Sequence, residues 1–267
     1  MLVFVIPLKS LRASNSWALV CRLFERCIKS VCNQTSPKFK VIVVCHEKPN
    51  IDFSHPQITY VEVNYPIPEN PNIQTKRRDR VRKVLIGVVY AQEYQPSHLM
   101  KVDADDCVSK QLAEFVDQHS DNSGWLMNQG YEYQEGSKFI YLRNKKFYLH
   151  CGTSNIIKYG LLDFPENPES LEYDTLFQYH VPHSKIVKMM AKKEITLNTL
   201  PFPGAVYVIK NGENTYLRNQ KLSDLIKKPN AAIIRAKEIY KEFNSQVLDK
   251  SIRDEFGLYD ISRVKSF

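Results

Sequence analysis

The stretch Phe39-Lys-Val-Ile-Val-Val-Cys45 constrains this chain more than any other. It is almost continuously apolar and rich in β-branched residues, with no alternation of polar positions. A strand of this texture has no face to give to water, so it belongs inside a parallel sheet covered by helices on both sides. Its neighbours fit that demand. Residues 3–6 read as a first strand, and Ser14-Asn15-Ser16 offers capping oxygens to a helix whose Trp17, Val20, Phe24, Cys27/Ile28 and Val31 recur at helical spacing. A third strand follows at 58–63. A loop with Pro66, Pro68 and Pro71 then leads to a second helix over about residues 75–92, striped by Val81, Val84/Leu85, Val88 and Ala91. Residues 98–102 form the next strand. This βαβαβ order predicts a doubly wound, mostly parallel sheet.

After residue 108 the texture changes. A short helix over 110–118 precedes many aromatic and β-forming residues from 125 to 157, with turn signals at Asn128, Gly130, Gly136 and Asn144, which predicts antiparallel strands. A loop rich in Pro and Glu ends at a helix near 173–180. An amphipathic basic helix over about 230–248 carries Ile233/Ile234, Ile239/Tyr240, Phe243 and Val247 on one face.

Lys plus Arg exceed Asp plus Glu by 37 to 29, a net charge of +8, which favours anionic partners. The basic run from Lys76 to Lys83 has no interleaved aromatic platform, so nucleic acid is not the expected partner. The six cysteines contain no C-x-x-C pair and no zinc spacing, and read as buried thiols. The apolar opening lacks a basic leader and is cut by Pro7, and no run reaches the length of a membrane span; the expectation is a soluble, cytoplasmic protein.

The acidic cluster Asp103-Ala-Asp105-Asp106 falls at the C-terminal end of the 98–102 strand, the edge where open α/β sheets bind ligands. Three carboxylates so close repel one another unless a cation, basic side chains or water lies among them. A calcium loop of the EF-hand type is excluded, because Cys107 and Val108 stand where a ligand and a glycine are needed. A phosphatase motif of the D-x-D-G-T kind fails because Asp106-Cys107 replaces Gly-Thr.

Strand, D-x-D-D and a mixed second half together resemble the nucleotide-sugar-dependent glycosyltransferases of the GT-A fold, family 2 in particular. The resemblance runs from Phe4 to about Tyr216. It includes residues 23–35, similar to the family's first helix, the segment His150-Cys-Gly-Thr-Ser-Asn155, and Glu172-Tyr-Asp174-Thr-Leu, similar to the family's E-D-x-x-L. It implies a GT-A-like catalytic domain over 1–217, with a nucleotide half (1–108) and an acceptor half (109–217), and a C-terminal helical tail over 218–267. It implies a nucleotide-diphosphate sugar as donor, a saccharide or other hydroxyl acceptor, a divalent Mn²⁺ or Mg²⁺, and transfer with inversion. Carried over by position, Asp103 meets the ribose and Asp105, with Asp106, the metal. Glu47 takes the place of the acid that holds the base, and Arg77 or Arg80 faces phosphate or base. Asp174 or Glu172 is the general base; Asp174 also suits a helix cap. The family's y-r-x-H-x-x-N-x-S is matched by Tyr207 to Thr215 with Lys210 or Asn211 where the His stands, so Lys210 becomes a diphosphate contact and His180 and His183 nearby alternatives.

Two other readings suit the same residues. One is another metal-dependent phosphate enzyme such as a nucleotidyltransferase, although Pro7-Leu-Lys-Ser10 lacks the glycines of a phosphate loop. The other is a non-catalytic basic adaptor. The amphipathic basic C-terminal helix also implies peripheral contact with the inner face of a membrane.

Overall fold

The computed structural model describes residues 1–67, 69, 71–180, 182–214 and 231–261. Its first sheet holds the strands the sequence announced: β1 (Leu2–Pro7), β2 (Phe39–Cys45), β3 (Ile58–Glu62) and β4 (His98–Lys101). All four run parallel, in the order β3-β2-β1-β4. Helices α1 (Trp17–Cys32) and α2 (Ile73–Tyr90) cover opposite faces. Strand β1 shows why. Its Leu2, Phe4 and Ile6 pack on the α1 side and its Val3 and Val5 on the α2 side, so both faces of the strand are core. At Gly87 on α2 any Cβ would run into Val5 Cγ1, so the close approach of this helix to the sheet requires glycine.

The strand β9 (Asn155–Lys158) continues the sheet antiparallel to β4, followed by β6 (Gly124–Leu126) and β10 (Asn198–Thr199). The second sheet has the order β12-β8-β7-β11-β5. It is built from β7 (Gly130–Gln134), β8 (Phe139–Arg143), β11 (Ala205–Ile209), the two-residue β5 (Cys107–Val108) and β12 (Ser245–Val247). The predicted antiparallel strands of 125–157 therefore exist, but as two pairs in different sheets. The α/β class, with a mostly parallel first part and a mixed second part, agrees with the GT-A-like expectation.

The C-terminal stretch departs from a simple helical tail. Helix α6 (Ala231–Phe243) stops before the expected end, because Ser245 to Val247 pair with β8 as an edge strand. Helix α7 (Lys250–Phe256) then buries Ile252 and Phe256, and the chain after it Leu258, against β7 and β11. On α6, Ile239, Tyr240 and Phe243 are exposed, Phe243 at 86%. The expected apolar stripe is therefore present but uncovered at these positions. The remainder of 218–230 and 262–267 lies outside the described residues.

One buried ion pair links the layers. The side chain of Arg26 on α1 is fully buried; it donates to both oxygens of Glu135 (3.1 and 2.8 Å) and to the carbonyl of Tyr259 (2.9 Å). All six cysteines are unpaired, and among the described residues no helix is long and apolar enough to cross a membrane.

Candidate active site

A cavity of about 360 Å³ opens at the C-terminal ends of β1 and β4. The turn after β1 supplies Leu8 and Lys9, and α2 supplies Lys76, Arg77, Asp79, Arg80 and Lys83. The end of β4 supplies Lys101, Asp103 and Asp105, and loops at 150–152, 180–183 and 213–214 close the sides. Basic residues outnumber acidic ones in this lining, so the cavity suits an anion.

The three carboxylates of the acidic cluster have three different environments. Asp103 receives the Arg80 guanidinium through Nε at 3.0 Å and a closer contact from Nη2. Burial alone would raise its carboxyl, but Arg80 and then Lys101 outweigh burial and hold it below the usual carboxylate range. Asp105 is partly exposed to the cavity, and its Oδ2 accepts from the amides of Asn211 (2.7 Å) and Asn214 (3.0 Å). Its carboxyl is raised by burial and by the neighbouring Asp103 charge. Asp106 is fully buried beneath the cavity. Its Oδ2 accepts from the Thr153 hydroxyl (2.7 Å) and the Cys151 thiol (3.4 Å), and its Oδ1 from the Val208 N–H (3.0 Å). Burial first, then Asp105 and Asp103, push its carboxyl well above the ordinary range.

Thr153 ties these environments together. Its Oγ1 accepts from the Asp103 N–H at 2.8 Å while its hydroxyl donates to Asp106. Gly152 beside it leaves no room for a side chain, since a Cβ there would collide with Asp103 Oδ2 and lie 2.9 Å from Arg80 Nη2. The small residues of the 150–155 segment thus let the loop close against the acidic cluster.

The cations are held with equal care. Lys83 is buried; it donates to the Leu8 carbonyl (2.7 Å) and to Asp79 (2.9 Å), whose other oxygen accepts from the Tyr65 hydroxyl (2.8 Å). Lys9 pairs with Glu213 (2.9 Å), and Glu213 also accepts from the Asn15 and Ser16 N–H groups at the start of α1. Arg77 stacks on Phe177 at 4.7 Å. Lys101 differs: it is partly buried, and among the described residues it makes no hydrogen bond or ion pair. Burial first and Arg80 second pull its pKa down to about 8. The same basic field, after burial, lowers His183 and pulls His180 down to about 3, so His180 lines the cavity as a neutral imidazole.

Of the residues singled out from the sequence, Asp103, Asp105, Arg77 and Arg80 line the cavity, as do His180 and His183. Asp106 lies beneath it. Glu47 sits past the end of β2 and accepts the Leu11 N–H at 3.2 Å, outside the lining. Lys210 is exposed and in the left-handed region at φ 54°, while its neighbour Asn211 reaches Asp105. Glu172 and Asp174 are exposed at the start of α4 (Tyr173–Tyr179) and do not line the cavity. Sequence reasoning named Asn211 only as an alternative to Lys210 and missed Lys9, Lys83, Lys101, Asn214 and Glu213. A lysine closing a buried strand, as Lys101 does, was the one legible signal among them; the others matter only through contacts distant in sequence.

Asp105 fits a divalent cation and Asp106 does not. Asp105 faces the cavity with one oxygen outside its two amide contacts, whereas both oxygens of Asp106 are enclosed. Among the described residues no three His, Cys, Asp or Glu side chains cluster as a self-sufficient metal site. One carboxylate plus substrate phosphates is, however, a common way to hold Mg²⁺.

The fold and site thus define an α/β protein with a basic, ligand-sized cavity at the carboxyl edge of its parallel strands. No family model matches the chain, and no curated protein matches it. Among solved structures it is similar to S. aureus TarS. With residues 1–349 in complex with UDP it shares 13% identity at a TM-score of 0.44, over 78% of this chain and 60% of that one. With the UDP-GlcNAc complex it shares 12% identity at a TM-score of 0.46, over 95% and 69%. Against TarS crystallised beyond that fragment the TM-score is 0.44 over 94% of this chain and 44% of that one. The chain spans about 60% of the first of these structures.

Proposed function

We propose that this protein is a glycosyltransferase that takes a nucleotide-diphosphate sugar as donor and transfers its sugar, with inversion, to an acceptor hydroxyl. The observation that carries this reading is the cavity itself: a basic chamber at the carboxyl edge of β1 and β4, with Asp105 presented to it among Lys9, Arg77 and Arg80. A diphosphate needs its charge met on several sides, and an α/β sheet edge lined by lysines and arginines meets it. Lys9 and Arg77 are placed to receive the phosphates. Asp103, fixed by Arg80 and Thr153, presents an ionised acceptor suited to ribose hydroxyls. A Mn²⁺ or Mg²⁺ held by Asp105 and the donor phosphates would neutralise the leaving diphosphate.

The base that deprotonates the acceptor is assigned to Asp174 or Glu172, at the start of α4 beside the cavity lining. Glu47 and Lys210 stand outside the lining and would meet the donor only at its periphery. Buried Asp106 organises the floor through Thr153 and Val208 and takes no part in the transfer. UDP and UDP-GlcNAc are the first donors to test. Release of the nucleoside diphosphate from a panel of nucleotide sugars, with NMR of the product's anomeric configuration, checks both halves of the reading; a retained configuration contradicts inversion.

A second contact is proposed on a separate observation. Phe139, Tyr240, Phe243 and Val247 are exposed around α6 and β12, and with Lys241 tied to Glu132 it is this apolar surface that suits peripheral binding to a membrane from the cytoplasmic side. Co-sedimentation with phosphatidylserine vesicles, lost on Phe243→Ser, tests it.

A further inference from the structure

A second cavity, of about 120 Å³, adjoins the first behind Lys101, Gly152, His180 and His183, which line both. Its walls are chiefly apolar, among them Val84, Leu99, Ile157, Ile186 and Met189. Polar side chains also reach it: His180 and His183 at the junction with the first cavity, Gln178, Tyr179 and Asp163, the last paired with Lys193, and the facing pair Lys101 and Asn155. Lys101 ends β4, and Asn155 begins β9; the antiparallel register Met100↔Ile156 sets the two opposite one another on the same face. The Lys101 ammonium has three donors and no acceptor among the described residues, and the Asn155 amide oxygen is buried with no hydrogen-bond partner. Polar groups left without partners against an apolar wall are costly, and both of these face one cavity.

We propose that this annex is the subsite for an N-acylamino group on the sugar handled by the enzyme, its carbonyl accepting from Lys101, its N–H donating to Asn155 and its alkyl end filling the apolar chamber. A turn of the Asn155 amide about χ2 presents its oxygen to that N–H. A bare hydroxyl leaves the apolar chamber empty, and a carboxylate is poorly matched to aliphatic walls. The N-acylamino group meets all three features at once: a donor without acceptor, an acceptor without donor and a chiefly apolar space larger than a methyl group. The inference rests on the nucleotide-sugar reading above and deepens it.

The test uses the whole chain and two arms, because the group can enter on the donor or on the acceptor. In the first, calorimetry with Mn²⁺ compares UDP-GlcNAc with UDP-glucose; in the second, UDP-saturated protein is titrated with N-acetylglucosamine and with glucose. One arm is expected to show a preference of about tenfold or more for the N-acylated sugar. Asn155→Leu, and separately Leu162→Trp, which fills the annex, are expected to erase it while leaving UDP affinity within about twofold. Absence of preference in both arms, or its survival in both variants, overturns the proposal. Tighter binding of UDP-glucuronate than of UDP-GlcNAc overturns it in favour of an anion subsite. No binding of UDP at all refutes the underlying nucleotide-sugar reading, and the subsite falls with it.

Discussion

Lys101→Met is expected to make the unliganded protein more stable. Lys101 stands among Arg80, His180 and His183 with no partner of its own, and its pKa falls from the ordinary 10.5 to about 8. A lowered lysine pKa means that the folded chain holds this proton less firmly than the unfolded one. The unfolded state therefore binds more protons between about pH 8 and 10.5, and stability rises with pH across that window. Below pH 8 both states are charged and the full cost of burying the ammonium is present. At 1.36 kcal/mol for each tenfold change in proton affinity, that cost is about 3 kcal/mol at pH 7. Methionine matches the length of the side chain and carries no charge, so the variant gains about 2–3 kcal/mol there. For a chain of this size the melting temperature rises by roughly 5–10 °C. Urea unfolding of both proteins at pH 7 and pH 10 checks the reasoning, with the difference between them shrinking at the higher pH. A variant that is less stable at pH 7, or a difference that does not change with pH, refutes it.

Other outcomes follow from the same contacts. Thr153→Val strands the Asp103 N–H and deprives Asp106 of a donor, costing about 2–4 kcal/mol in chemical unfolding, while Thr153→Ser restores most of it. Glu135→Ala leaves the fully buried Arg26 without a counter-charge, held only by the Tyr259 carbonyl, and costs about 3–5 kcal/mol, with no direct effect on the distant cavity; loss of nucleotide affinity in a still-folded variant would contradict that separation. Gly152→Ala forces Asp103 and Arg80 apart, so nucleotide affinity measured by calorimetry falls about tenfold or more while circular dichroism is unchanged.

What the sequence made legible is what local chemistry decides. The run Phe39–Cys45 could only be an interior parallel strand, and the alternating faces of β1 and β2 confirm the reason. The acidic cluster was equally legible as a ligand edge, because it follows a strand that ends at the carboxyl side of the sheet. The separate fates of its carboxylates were not legible. They depend on Arg80, Thr153, Val208 and Asn211, which lie 23 to 106 residues away along the chain. The C-terminal stretch was misread for a similar reason: helical periodicity is strong through Phe243, but the pairing of Ser245 to Val247 with β8 is a long-range event with no local signature. Lys101 could be read as odd, yet only the β4–β9 register shows that Asn155 faces it.

The central claim is that the cavity between β1, β4 and α2 binds a nucleotide diphosphate through Asp105 and its surrounding cations. Calorimetric titration of UDP with Mn²⁺ into the native protein and into Asp105→Ala tests it most directly. The account predicts saturable one-site binding by the native protein and a loss of about tenfold or more in the variant, with the melting profile retained. Equal affinity in the two proteins, or no binding by the native one across UDP, GDP, CDP and ADP, would contradict it.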